Sequence, residues 1–406
     1  MKSRITFYVL RLTLSLACLA RAASAHDRST SYSAWEIEGT HARVTVRIAA
    51  LDLSRLPFMA ADAAERDAAI AAYLTQHLQL SAGTDACEVT SLPRSIDAVP
   101  GRAVYEWQLK CPTAEHLQIR SDLLLDEAPS HLHFARVRRG DAKPLERVLS
   151  DSERTWTLSE GASPQTAEGQ GTSLLGYVAL GVEHIVTGYD HLAFLLALLL
   201  MQTSLIEVAK VVTGFTVAHS ITLALATLGY VQPNAAAIEA LIGLSIALVA
   251  IENVWLISGR GRTVPWLIGG ALACLALAAV RGHGRIPGIT LAGLALFSVS
   301  YFGLLERVPR PAPLRWAIAF IFGLVHGFGF AAVLLEANLS AGRLAQALFG
   351  FNVGVEIGQL AAVALIWPLL FVVARHGRGR DRVIEWGSAA ICGLGLFWFI
   401  SRGFGT

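Results

Sequence analysis

Polar and apolar positions divide the chain into two regimes. Up to about residue 160, apolar residues alternate with polar ones over short stretches. ARVTVRIAAL sets Val44, Val46 and Ile48 on one side, and AVYEWQLKC, HLQIRSDLLL, HLHFARVRRG and RTWTLSE repeat the pattern. A period of two predicts half-buried strands, and the turn residues between them predict a small β-rich, sandwich-like domain. AADAAERDAAIAAYLTQHLQL departs from it, because its alanines and spacing favour a helical insertion. From residue 174 the pattern changes to apolar runs of about 20 residues, the length that crosses a bilayer. Eight such spans are predicted, at about 174–201, 208–230, 236–257, 265–281, 288–305, 315–337, 347–374 and 383–402. The first and seventh are longer than a span needs, which predicts tilting or a break. If residues 265–305 form one span, the count is seven. The fold class is thus an α-helical polytopic membrane bundle preceded by a β-rich domain.

Composition agrees with this division. The chain of 406 residues is 54% hydrophobic and 16% charged, with a mean hydropathy of +0.51, too apolar for a soluble protein. A net charge of +2 says nothing about nucleic acid, and with no basic patch interleaved with aromatic residues no nucleic-acid partner is expected. The first 25 residues, MKSRITFYVLRLTLSLACLARAASA, run from basic to apolar to an A-x-A site, which predicts a cleaved signal peptide. The expected division is 1–25 signal peptide, 26–158 exported domain, 159–173 linker (SEGASPQTAEGQGTS) and 174–402 transmembrane domain. Charge tests the topology independently. Loops expected in the cytoplasm hold Lys210, Arg260, Arg262, Arg307, Arg310, Arg315, Arg375, Arg378, Arg380 and Arg382; the opposite side holds Arg281, Arg285, Arg343 and Arg402. This bias places the N-terminal domain on the periplasmic or extracellular side of an inner membrane. Cys87 and Cys111 both fall in that exported domain, where a disulfide between them is allowed.

Chemistry enters through ionisable residues inside the apolar runs, where each costs at least about 2.5–3.5 kcal/mol at the bilayer centre. The first span carries His184, Asp190 and His191; the second Thr216, His219 and Thr222; the sixth His326; the seventh Asn352, Glu356 and Gln359 on one face. The third carries Glu239, Ser245, Glu252 and Asn253, read as supporting polar groups, Glu239 and Glu252 being open to solvation at an interface. His191, His219 and His326 fall near one depth, with His184 and Glu356 further out. Nitrogen and carboxylate donors together suit a divalent transition metal such as nickel, cobalt, zinc or copper. On an intact helix His184 and His191 would lie about 10 Å apart along the axis. Either the helix unwinds near Gly188, or the two mark separate stations along a path. Asp190 can be a ligand or can orient an imidazole. In the exported domain, His26 could chelate a metal through its amine and imidazole, and His131 and His133 share a strand face; both are read first as exposed polar residues.

HIVTGYDHLAFLLALLL, FTVAHSITLALA, EALIGLSIALVAIEN, HGFGFA and FNVGVEIGQL resemble the HupE/UreJ membrane proteins, in the branch with an exported N-terminal domain. The resemblance spans about residues 174–400 and implies a nickel or cobalt permease. Its H-x5-D-H motif maps onto His184, Asp190 and His191. A second pattern, F-H-G-x-A-H-G-x-E, is not present; only HGFGFA surrounds His326, with Glu356 offered from the next span. The expected ligands are therefore His184, Asp190, His191, His219, His326 and Glu356, with a metal ion and the lipid bilayer as partners and the N-terminal domain open to a periplasmic one. Two other classes stay open. One is a metal-dependent intramembrane hydrolase, which needs its ligands gathered at one level. The other is a non-catalytic metal-binding assembly or sensor protein. A transporter needs ligands graded in depth, and the His184–His191 spacing leans toward it.

Overall fold

The computed structural model describes residues 29–158 and 172–404, apart from 55, 61–62, 97–101, 130, 143, 202–203, 233, 309–311, 332–333, 335–338, 340 and 375–376. The signal peptide, His26 and residues 159–171 of the linker lie outside the described residues. The chain divides into two compact units, one holding His26–Gly176 and the other Tyr177–Leu335 with Ser340–Thr406.

Among the described residues the first unit has ten strands: β1 (Thr30–Glu38), β2 (His41–Ala49), β3 (Leu78–Ala82), β4 (Asp85–Ala86), β5 (Glu88–Ile96), β6 (Arg102–Lys110), β7 (Leu117–Ser121), β8 (Leu132–Arg139), β9 (Leu145–Leu149) and β10 (Thr155–Leu158). They form one sheet in the order β5-β6-β2-β1-β8-β9 and a second in the order β10-β7-β3-β4. Alternation does what period two requires. Trp35, Val44, Val46, Ile48 and Trp107 of the larger sheet share a core with Leu78, Leu80, Ile119 and Trp156 of the smaller. Helix α1 (Ala63–His77) adds Ile70 and Leu74 to that core, and a Cys87–Cys111 disulfide lies at its edge.

The expectation that His131 and His133 are exposed is wrong. Each is 1% exposed, because β1 and β8 pair in parallel and bring Ser31 beside His133. Serine and histidine then alternate along one buried chain. Ser29 Oγ lies 2.7 Å from His131 Nδ1, Ser31 Oγ 2.8 Å from His131 Nε2 and 2.7 Å from His133 Nδ1, and Ser33 Oγ 2.8 Å from His133 Nε2. The Trp35 indole N–H donates to Ser33 Oγ at 2.9 Å. Every ring nitrogen is engaged, so neither histidine offers a metal a lone pair. Burial pushes both imidazoles down to about 3, His133 adding to the effect on His131. A histidine folded with a lowered value contributes stability above its unfolded value of about 6.5, and that stability is lost as pH falls toward 3. Amide exchange in the full chain is therefore expected to show protection of residues 30–37 and 132–139 falling steadily between pH 6.5 and 4, and a His133→Asn form is expected to flatten that dependence.

The second unit is helical: α2 (Leu174–Thr187), α3 (Tyr189–Leu199), α4 (Leu205–Thr227), α5 (Ala235–Ile257), α6 (Thr263–Val280), α7 (Gly288–Arg307), α8 (Ala312–Gly329), α9 (Ala341–Ala374) and α10 (Gly377–Phe404). Among the described residues six helices are long and apolar enough to cross a membrane, and α2 with α3 make a seventh if that bent pair is one span. Residues 265–305 form two helices, α6 and α7. The predicted sixth span is the shorter apolar helix Pro313–Gly329. This is a multi-pass membrane protein with a β-rich N-terminal region.

Glycines let the helix backbones touch, the usual way apolar spans associate without a hydrophobic driving force. A Cβ on Gly327 would sit 2.2 Å from the His219 carbonyl oxygen and one on Gly323 2.5 Å from that of Phe215, so α8 lies directly on α4. Gly181 and Gly354 do the same for α2 and α9, and Gly243 and Gly395 for α5 and α10.

Candidate metal centre

The first span is broken where its excess length predicted. Gly188 leaves the helical region at φ −81°, ψ 85°, and α2 and α3 meet at a 69° bend. A Cβ at Gly188 would lie 2.5 Å from the His184 carbonyl oxygen, so this kink tolerates no side chain. Its consequence is geometric. His184 and His191, about 10 Å apart on a straight helix, bring their ring centroids to 4.6 Å. The argument for transport drawn from their separation therefore fails, since both now belong to one site.

Helix α4 supplies His219 to the same place. His184, His191 and His219 each present a ring nitrogen, and the three lie within 4.8 Å of one another. Helix α8 adds His326, its ring 5.4 Å from that of His191. All four are at the edge of full burial or within it. Phe194 and Phe215 stand against His326, while Phe330 and Phe351 stand against His184 and stack on each other at 4.3 Å. These four rings wall the imidazoles with apolar surface.

The hydrogen bonds decide which nitrogen faces the centre. Nδ1 of His191 is 3.0 Å from Asp190 Oδ1, Nδ1 of His326 is 2.8 Å from the Phe322 carbonyl oxygen, and Nδ1 of His219 is 3.2 Å from Asn352 Oδ1. The Asn352 amide donates to the Leu348 carbonyl, which leaves its oxygen toward His219. Each of these partners only accepts, so each Nδ1 carries the proton and each Nε2 keeps its lone pair. Nε2 of His191, His219 and His326 is buried with no hydrogen-bond partner among the described residues. Buried nitrogens are normally paired. The orphaned nitrogens of His191 and His219 belong to rings of one close cluster with His184, and that of His326 to a neighbouring ring, a donor set suited to a cation, with oxygen partners orienting the rings from behind.

The remaining expected site residues have other places. Asp190 orients His191, and its second oxygen lies 3.7 Å from Arg402 Nη2. Arg402 also donates to the Glu239 carbonyl and sits over the Trp398 ring. Glu356 accepts from Thr213 at 2.6 Å and Gln359 accepts from Thr216 at 3.0 Å, along the seam between α4 and α9. The Ser245 hydroxyl bonds to Ile242 of its own helix. Glu252 and Asn253 are not solvated: they are 1% and 0% exposed. Glu252 accepts from Arg315 Nε at 2.7 Å and from the Tyr301 hydroxyl at 2.6 Å, and Asn253 accepts from Arg315 Nη2 at 2.5 Å. Sequence reading missed Arg315 and Arg402, counting both as loop charges. Each stands near the end of an apolar run, and one sequence carries no signal that such an arginine turns inward.

The family described as HupE / UreJ protein matches residues 162–299 and 275–402, which take in the bent first span and every histidine of the centre. Among curated proteins nothing matches.

Proposed function

The chain belongs to the HupE/UreJ family, and from that premise we propose that it carries a divalent transition metal, nickel or cobalt first, across the inner membrane, with the β-rich domain on the periplasmic side. His184, His191, His219 and His326 bind the ion, and Asp190, Asn352 and the Phe322 carbonyl hold the rings in the tautomer that does so. The family points to handling of transition metals. The observation that carries this chain's version of it is the gathering of ring nitrogens of His184, His191 and His219 within 4.8 Å of one another, with Nε2 of His191 and of His219 buried and without a hydrogen-bond partner among the described residues. Neutral nitrogen donors favour nickel, cobalt and zinc over magnesium or calcium, which take oxygen. At a membrane potential of 100 mV an inward divalent cation gains about 4.6 kcal/mol, enough for roughly a thousandfold gradient.

One observation favours a second reading. The imidazoles gather at one level within apolar walls, the arrangement a metal-dependent hydrolase needs in order to activate water. Reconstitution separates the two. Purified protein is loaded with nickel, cobalt or zinc, placed in vesicles and given an inside-negative potential. Metal that is retained and accumulates inside supports the permease. Metal retained but never accumulated favours the hydrolase, and failure to retain any of the three removes both.

A further inference from the structure

Resting on the permease reading, we propose that Glu356 forms a second, oxygen-lined cation station, through which the ion leaves the imidazole cage along the seam between α4 and α9. Three hydrogen-bonded rungs cross this seam. His219 meets Asn352 at 3.2 Å, Thr216 meets Gln359 at 3.0 Å, and Thr213 meets Glu356 at 2.6 Å. Along α4 the ladder of three bonds runs about 9 Å from His219 to Thr213, toward the helix end that bears Lys210 and that the charge bias assigns to the cytoplasm; on α9 the last two bonds cross, Gln359 lying about one turn beyond Glu356. Its last rung reaches the outside of the bundle, where Thr213 is exposed.

Charge explains why a cation would move along it. The cage donates neutral imidazoles, and its one carboxylate, Asp190, is held by His191 and Arg402. Glu356 is the only acid in Ala341–Ala374, and α4 has none beyond Glu207, which pairs with Lys210. The Thr213 hydroxyl occupies Glu356 Oε1, but Oε2 is buried with no hydrogen-bond partner among the described residues. A carboxylate oxygen left in that state at membrane depth calls for a cation. The Thr213 hydroxyl is bonded to Glu356, and Thr216 with Gln359 forms the next bond of the same seam, so the station offers hard oxygen donors, weaker for nickel or cobalt than imidazole. A tight nitrogen site followed by a weak oxygen site lets the ion enter selectively and still leave. The station also restores the gradation in depth that the gathered histidines by themselves lack.

The test compares wild type, Glu356→Gln, Glu356→Asp and His219→Ala for nickel retention by the purified protein and for uptake into vesicles. The proposal expects Glu356→Gln to retain nickel within about threefold of wild type while its uptake falls at least about tenfold, with Glu356→Asp intermediate. Wild-type uptake in Glu356→Gln overturns the station and leaves the permease standing. Loss of retention matching that of His219→Ala also overturns it, by making Glu356 part of the cage. Should Glu356→Gln fail to fold, Glu356→Asp decides: reduced uptake with retention intact supports the station, and unchanged uptake overturns it. Wild type without uptake removes the permease reading and the station with it.

Discussion

Replacing His191 by alanine is expected to abolish retention of nickel, cobalt or zinc, with affinity falling well beyond the 10–100-fold typical of losing a residue that only orients a ligand. His191 is the hinge of the centre. Its ring stands between two others of the cage, 4.6 Å from that of His184 and 5.4 Å from that of His326, and its Nε2 is one of the orphaned nitrogens. His219→Ala is expected to match it. Asp190→Asn removes the charge that fixes the His191 tautomer but leaves the nitrogen in place, so its affinity should fall about 10–100-fold. Ser245→Ala should change nothing, since that hydroxyl bonds only its own helix. Metal content after dialysis against a graded chelator reads the whole series. Equal retention in His191→Ala and wild type would remove the centre altogether.

How far this site could be read beforehand depends on which distances are local. The apolar runs and the histidines within them are local facts, and their shared depth follows from counting residues. The first span's excess length and Gly188 together signalled a break. That the break brings His184 onto His191 was not legible, because a 69° bend at one residue has no periodic signature. In the β-rich domain, alternation found β2, β6, β7, β8 and β10 and the inward side of β2, and passed over β1. The burial of His131 and His133 escaped, because it follows from parallel pairing of strands about 100 residues apart. Contact partners of that kind, and the inward turn of Arg315 and Arg402, come from tertiary packing and leave no mark on a single sequence.

Arg315 gives the second large effect, this time on stability. The Arg315 side chain is 6% exposed and the Glu252 side chain 2%. Their network draws in Tyr301 of α7 and Asn253 of α5, and through the Asn253 amide the Ala197 carbonyl of α3 at 2.7 Å and Ser388 of α10. Five helices therefore meet at one buried ion pair, near the start of the helix that carries His326 about 16 Å further along. Breaking such a pair on one side strands the other charge in an apolar surround, at a cost of about 3–5 kcal/mol. Arg315→Met is expected to incur that cost, seen as a large fall in the thermal midpoint of the protein in detergent. Replacing both charges is a different matter, because the desolvation of each ion is then removed along with their attraction. In Arg315→Met with Glu252→Gln, the new amide can still accept from Tyr301, and most of the lost stability should return. If the double form is as unstable as the single one, the network's contribution lies in its hydrogen-bond geometry rather than in charge compensation. If Arg315→Met alone has no effect, Glu252 is not carrying a buried charge, and the ion pair does not hold these helices together.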